Sequence, residues 1–133
     1  MAGSEERQIR VIVEELEEYT GKVVTGVALE IHAVLTEDTP LDTGWARANW
    51  VPAVGRPGAS SSEQSGNIAA AQSKATAGLA AVAGYKLRQG VVHVTNNVPY
   101  IEVLNAGSSK QAPADFVPRA IEKGIAAALR RLA

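Results

Sequence analysis

The sequence predicts an α+β fold: a long N-terminal helix, an alanine-rich second helix and a C-terminal helix packed on a small antiparallel sheet. Three observations support this. A long segment at the start of the chain has apolar residues at helical spacing, and a shorter segment at the end has the same spacing. Short strand-like runs lie near residues 51 and 91. Helices and short strands in this order are typical of helices packed on one face of an antiparallel sheet.

The first predicted helix runs from Glu5 to about Leu35, with Ser4 as its N-cap. Gly21 and Gly26 each cost roughly 1 kcal/mol relative to alanine, which predicts either a bend or the close approach of a neighbouring backbone. About thirty residues span roughly 45 Å, more than a small domain needs for its own core. We therefore expect part of the apolar stripe to pack on another subunit; the stripe comprises Ile9, Ile12, Leu16, Tyr19, Val23, Val27, Ile31 and Val34.

The segment TPLDTGWARANW, residues 39–50, follows this helix. Pro40 predicts the end of the helix, because the residue before a proline is disfavoured in the helical region. The Asp-Thr-Gly triplet at 42–44 predicts a turn or a new N-cap. WARANWVPAV then predicts a helical turn leading into a strand that ends near Pro52. We expect Trp50 to anchor the sheet against the long helix and Trp45 to be more exposed.

The second half of the chain supplies the remaining elements. Residues 55–66 are rich in glycine, serine and proline and predict a flexible loop. Residues 67–83 predict the alanine-rich helix, and YKLRQGVVHVTNNVPY predicts two strands joined by a turn at RQG. The last helix is predicted from about Pro113 or Asp115 to Leu132, with Pro118 in its first turn.

Length and composition limit the possible classes of protein. A chain of 133 residues favours a single domain, 1–133. The sequence contains no cysteine, which excludes disulfides and thiolate metal sites. Aromatic residues are only 5%, so we expect a thin core completed by partner surfaces. The charged opening MAGSEERQIR and the absence of a long apolar run predict a soluble protein made in the cytoplasm, with no membrane association.

Charge is divided unevenly along the chain. Residues 1–42 hold ten acidic and three basic side chains, a balance of −7, and residues 43–133 hold four acidic and ten basic ones, a balance of +6. Two interpretations remain open. The split reflects ordinary solvated surfaces, or the acidic helix of one copy faces the basic region of a neighbour in a head-to-tail assembly.

Residues suited to catalysis or metal binding do not form a recognisable pattern. His32 and His93 lack partners at metal-ligand spacing, so we expect structural roles for both. The triplet at 42–44 matches the active-site turn of retroviral-type aspartic proteases, with Asp42 as the acid, but that turn belongs in a mostly β chain. Neither a nucleophile elbow nor a phosphate-binding loop is present in the sequence. We predict no enzymatic activity and no cofactor.

Nucleic-acid binding is the alternative function. Trp45 and Trp50, beside Arg47, are of the type that stacks on bases. Arg56 and the arginines near the C-terminus would supply phosphate contacts. Interface salt bridges are a further alternative for the basic residues Lys110, Arg119, Arg130 and Arg131. The simpler interpretation places Trp50 in the core and these cations on solvated faces.

Three segments together resemble a known family. TPLDTGWARANW, NNVPY and GSSKQAP, in this order and followed by an amphipathic helix, are similar to segments of the neck and tail-completion proteins of long-tailed bacteriophages, the head-tail joining group. The resemblance covers most of the chain. The matching positions are Thr39, Pro40, Asp42, Thr43, Gly44, Arg47 and Trp50; Asn96, Asn97, Pro99 and Tyr100; and Gly107, Ser109, Gln111, Ala112 and Pro113. The chain departs from the family pattern at Asn105, where glutamate is usual, and at Ala114 and Asp115, where glycine usually follows Ala-Pro.

The resemblance implies a non-enzymatic virion protein that forms a ring of six or twelve copies at the head-tail junction or the top of the tail, assembled in the host cytoplasm. Its implied partners are other neck, head-completion, tail-terminator or tail-tube proteins, and phage DNA would pass through the lumen without sequence-specific binding. Residues 42–44 would form a rigid corner, with Arg47 free to pair with a carboxylate and Trp50 beneath. NNVPY and SSKQAP would form a second corner that leads into the last helix.

Overall fold

The computed structural model describes residues 2–40, 44–58, 68–107 and 114–132. Its helices and strands confirm the predicted α+β class. A short 3₁₀ turn at Leu87–Gln89 precedes the second strand. The elements are α1 (Ala2–Asp38), α2 (Trp45–Ala48), β1 (Val51–Val54), α3 (Ile68–Ala83), β2 (Val92–Thr95), α4 (Ile101–Asn105) and α5 (Phe116–Leu132).

Helix α1 is longer than the sequence predicted, with 37 residues and a length of about 55 Å. It begins at Ala2, so Ser4 lies inside the helix and the prediction of Ser4 as the N-cap was wrong. A neighbouring backbone lies beside Gly21, one of the two glycines where a bend or a close approach was expected, but at an ordinary van der Waals distance. A Cβ there would lie 3.7 Å from the backbone nitrogen of Leu87, whereas one at Gly26 would meet no described atom within 4 Å.

Helix α5 packs antiparallel against the C-terminal half of α1. The direction follows from two ion pairs: Lys123 lies 3.0 Å from Asp38, and Arg131 lies 2.8 Å from Glu30. Between them the helices come close together at Gly124, where a Cβ would lie 2.6 Å from the Cα of Ile31. The buried positions of α5 follow a helical period of four and are mostly small: Phe116, Ala120, Gly124 and Ala128.

The sheet has two antiparallel strands, and its pairing corrects one prediction. Val51 pairs with Thr95 and Val54 with Val92, so β2 pairs with the VPAV strand. The run before RQG is not a strand, because local hydrogen bonds hold it in a turn. The Tyr85 hydroxyl donates to the backbone carbonyls of Leu87 and Gly90.

Helix α3 lies directly against β1. A Cβ at Gly78 would come within 2.0 Å of the carbonyl oxygen of Pro52, so only glycine allows this approach. Thr25 on α1 donates to the carbonyl of Val82 on α3 at 3.2 Å. The alanine-rich helix therefore packs closely on the strand, as expected of small side chains.

Two buried clusters form the core. One joins the short helices and their connections around Trp45, Val98 and Phe116. The other joins α1, the sheet and α5 around Leu35, Trp50 and Ala120. The partly buried residues Ile101 and Val117 contact both, which connects the clusters into a continuous core.

Candidate functional site

The first corner redirects the chain at the C-terminal end of α1. Thr39 and Pro40 are buried immediately after the helix. Gly44 has φ 74°, a left-handed conformation, and its carbonyl accepts from the backbone nitrogen of Ala48 at 3.0 Å to close α2. A non-glycine residue is disfavoured at such a φ, which explains the glycine. Asp42 and Thr43 lie outside the described residues.

Trp50 holds this corner from beneath, as the sequence predicted. Its side chain is buried, with 6% exposed, and its indole Nε1 donates to the Thr39 hydroxyl at 2.7 Å. That hydroxyl donates in turn to the carbonyl of Leu35 in the last turns of α1. Thr39 matches the family pattern, but nothing in the sequence indicates that it is the partner of Trp50.

His32 has the structural role that was expected. Its Nε2 lies 2.9 Å from the carbonyl oxygen of Trp50. Because a carbonyl can only accept, Nε2 carries the proton and donates. Burial lowers the pKa of His32 below its usual value, which outweighs the opposing effect of the hydrogen bond to Trp50. The neutral imidazole therefore ties α1 to the start of β1.

Arg47 lies at the C-terminal end of α1. Its Nη2 donates to the carbonyl oxygen of Glu37 at 2.6 Å and its Nε to that of Thr39 at 3.3 Å. The expected pairing with a carboxylate stays a prediction, because Asp42 lies outside the described residues. The last carbonyls of a helix have no intrahelical partner. A cation placed there satisfies them and interacts favourably with the helix dipole. Arg47 therefore caps α1.

Trp45 was expected to be more exposed than Trp50, and this prediction was wrong. It is buried, with 5% of its surface exposed, because α2 turns it toward the second corner. Its ring lies 5.3 Å from the ring of Tyr100, tilted by 54°, a favourable aromatic geometry. A buried ring is not available to stack on a nucleic-acid base.

Asn96 connects the second corner to the first. Its side-chain Nδ2 donates to the carbonyl of Ala46 in α2 at 2.8 Å, and its Oδ1 accepts from the backbone nitrogen of Val98 at 3.0 Å. Tyr100, which precedes α4, completes the contact through Trp45. Asn97 and Pro99 are exposed. The two motif segments that were predicted as separate corners thus form one structural unit.

Asn105 starts the final helix, a role that the sequence analysis missed. Its Oδ1 accepts from the backbone nitrogen of Val117 at 3.0 Å. Its backbone carbonyl accepts from the backbone nitrogen of Asp115 at 2.6 Å. Asp115 has φ 62°, a conformation that favours glycine. The preference of asparagine for the N-cap position concerns the residue directly before a helix, so the sequence carried no signal for this contact across twelve residues. Gly107, with φ 93°, packs on Ala114, whereas Ser109, Gln111 and Pro113 lie outside the described residues.

The N-terminal part of α1 carries an uncovered apolar stripe. We name residues 4–20 the arm; residues 4–16 are all exposed. At 1.5 Å per residue the arm is about 25 Å long. The arm holds six glutamates and two arginines, a net charge of −4. Its six large apolar side chains are between 44% and 62% exposed. Val11 lies on the opposite side of the helix, and the other five share one face: Ile9, Ile12, Val13, Leu16 and Tyr19.

An apolar groove lies beside the C-terminal half of α1. We name it the groove; its volume is about 590 Å³, and every described residue that lines it is uncharged. Its walls come from α1, from β2 and the turn before it, and from α5. Representative lining residues are Val23, Val27, Tyr85, Val91, Val94 and Ile121. The sequence analysis did not predict the groove, because it is formed by three segments far apart in the chain.

Comparison with known proteins identifies no relative: no family model, curated protein or solved structure matches the chain. Within the part of the chain that the structure describes, no helix is long and apolar enough to cross a membrane. Residues 2–40, 44–58, 68–107 and 114–132 also contain no group of three or more histidine, aspartate or glutamate side chains that could hold a metal ion.

Proposed function

We propose that the protein is a structural component of a long-tailed phage virion, forming a ring at the head-tail junction or at the top of the tail. The observation that carries the proposal is the exposed apolar face of the arm. The resemblance in the three motif segments supplies the virion context. The function requires neither catalysis nor a cofactor.

The energetics of the arm favour association. Burying one large aliphatic side chain completely is worth about 1.5–3 kcal/mol. Five arm side chains that are about half exposed would therefore contribute roughly 4–8 kcal/mol per arm when covered. An exposed patch of this kind is typical of a protein interaction surface.

The two corners suit a subunit that must keep its shape within a ring. Hydrogen bonds from Trp50, Asn96 and Arg47 join the end of α1 to both corner segments, and the one from Trp50 is buried. Such contacts fix the direction of α1 relative to the sheet. A fixed angle between two contact surfaces allows head-to-tail contacts to close a ring rather than extend as a filament. The two open ends of the ring would then contact other neck, head-completion, tail-terminator or tail-tube proteins.

Nucleic-acid binding, the alternative, loses two of its proposed contacts. Trp45 is buried against Tyr100, and Arg47 is engaged by carbonyls of α1. Binding to duplex and single-stranded DNA across a salt series separates the two functions. A ring subunit should bind weakly or not at all, whereas a steep fall in affinity with salt would favour the alternative.

Electron microscopy of the purified protein tests the proposal. Closed rings with one symmetry, of six or twelve copies, are the expected result. Mass spectrometry of virions from a phage that encodes the chain should detect it in the tail or neck fraction. Particles without closed symmetry, together with absence from virions, would contradict the proposed function.

Charge reversal tests the electrostatic part of the assembly. Replacing Glu14, Glu15, Glu17 and Glu18 together with lysine changes the net charge of the arm by eight units, from −4 to +4. Sedimentation should then show weaker oligomerisation, most clearly at low salt, where exposed charges are least screened. Unchanged oligomerisation would show that charge does not direct the contact.

A further inference from the structure

We propose, building on the ring function above, that the arm of one copy docks in the groove of the next copy. The partner surface is thus a second copy of this chain, contacted head to tail. Each subunit would donate its arm to one neighbour and receive the arm of the other. Such a heterologous contact uses two different surfaces of the same subunit, as a closed cyclic ring requires.

The arm cannot reach the groove of its own chain. Arm and groove wall belong to the same continuous helix, Ala2–Asp38, and residues 23–35 of that helix form one side of the groove. The C-terminal end of the arm contacts only the turn beside the groove among the described residues, where Glu17 pairs with Arg88 at 3.3 Å, and residues 4–16 are exposed. Any arm that fills the groove therefore comes from another molecule.

The arm has the side-chain spacing that helix-in-groove recognition uses. Its anchors Ile9, Ile12, Val13 and Leu16 stand at positions i, i+3, i+4 and i+7. All four are exposed, so they are available without any rearrangement. The receiving surface is apolar throughout its described lining, and Val91 at its edge is 63% exposed.

Charge favours this partner over a pair of arms. The arm carries −4, and because the whole chain carries −1, the rest of the molecule carries +3. An arm on the body of a neighbour therefore brings opposite charges together, whereas two paired arms bring −4 beside −4. Lys86 and Arg88 stand in the turn between the groove residues Tyr85 and Gly90. Arg88 pairs at 3.3 Å with Glu17 of its own arm, which shows that this edge of the groove accepts an acidic side chain of the arm.

Cysteine cross-linking tests the contact directly, because the natural sequence contains no cysteine. Ile9→Cys, Ile12→Cys and Leu16→Cys are each combined with Val91→Cys, and the purified assemblies are treated with a short bismaleimide. Head-to-tail docking should give a ladder of covalent trimers and larger products in at least one combination, since every copy carries both groups. Mass spectrometry should identify the linked arm and groove peptides.

Matched variants separate the outcomes. Glu14→Cys with Val91→Cys places the arm cysteine on the polar face, and we expect at least a tenfold lower yield. Dimers from the arm cysteines alone, without a ladder, would show paired arms and overturn the inference. Closed rings in the microscope with no ladder in any combination would also overturn it while leaving the proposed function intact. A ladder without closed rings or virion association would support the docking contact and contradict the ring function.

Discussion

Replacing Thr39 with valine isolates the hydrogen bond that fixes the first corner. Valine keeps the shape and volume of threonine, so no cavity opens, but the buried Nε1 of Trp50 loses its acceptor at 2.7 Å. The carbonyl of Leu35 remains paired, because the Thr39 backbone nitrogen donates to it at 3.0 Å. A stranded buried donor costs about 1–3 kcal/mol, so we expect the free energy of unfolding to fall by that amount.

Urea unfolding, followed by tryptophan fluorescence and circular dichroism at one fixed protein concentration, measures the effect. The concentration is fixed because association stabilises the folded state by mass action. The unfolding midpoint should fall without a change in the slope. By heat, each kcal/mol corresponds to a lower melting temperature of roughly 3–5 °C for a chain of this length.

A double-mutant cycle provides the control. Trp50→Phe removes the donor itself, and Thr39→Val should then cost about 1 kcal/mol less than it does in the natural sequence. If Thr39→Val leaves stability unchanged, or if the two substitutions are simply additive, the hydrogen bond does not hold the corner.

Three further predictions concern packing, pH and helix capping. Gly124→Ala should destabilise the fold by about 1–3 kcal/mol because its Cβ would meet the Ile31 backbone at 2.6 Å. The matched Gly26→Ala should stabilise it by up to about 1 kcal/mol. Equal effects of the two substitutions on the melting temperature would refute the close packing of α5 on α1 at Gly124. Burial lowers the folded-state pKa of His32 below 6.5, so the unfolded chain binds the proton more readily. The contribution of His32 to the free energy of unfolding should therefore be fully present above pH 6.5 and decline as the pH falls through the folded pKa. In His32→Gln this pH-dependent contribution should be absent when stability is measured over a pH series. A pH dependence equal to that of the natural protein would contradict the prediction. Arg47→Met should cost about 1 kcal/mol by denaturant unfolding, and no loss would mean that water replaces the guanidinium.

The sequence predicted the elements that have a long and regular pattern. The apolar spacing from Ile9 to Val34 indicated α1, and the spacing from Val117 to Leu132 indicated α5. The burial of Trp50 was predicted correctly as well, because a large aromatic residue between a helix and a strand has few alternatives. Such signals are local, or they depend only on hydrophobicity.

Predictions failed where individual side-chain contacts, which hydrophobic patterns do not encode, decided the outcome. The run before RQG has the composition of a strand, but the Tyr85 hydroxyl holds it in a turn. The hydrogen bonds of Arg47 to backbone carbonyls were not predicted, because only the position of α2 beside the end of α1 brings the guanidinium to them. Trp45 is buried because Tyr100, 55 residues later, lies against it.

The groove was beyond sequence reasoning for a similar reason. Its walls combine α1, β2 and α5, and the sequence predicted neither the pairing of β2 with the VPAV strand nor its register. The arm, by contrast, was anticipated, since a helix of this length exceeds what one small core can cover. The excess apolar surface was thus readable from the sequence, and the surface suited to receive it was not.

Sedimentation velocity over a concentration series tests the central claim most directly, namely that copies of the chain cover the apolar face of the arm. The natural protein is compared with an Ile12→Asp, Leu16→Asp variant, in which two exposed side chains become charged. We predict a multi-copy species for the natural protein and a monomer with unchanged helix content for the variant. A natural protein that stays monomeric at the highest concentrations, or a variant that assembles equally well, would contradict the account.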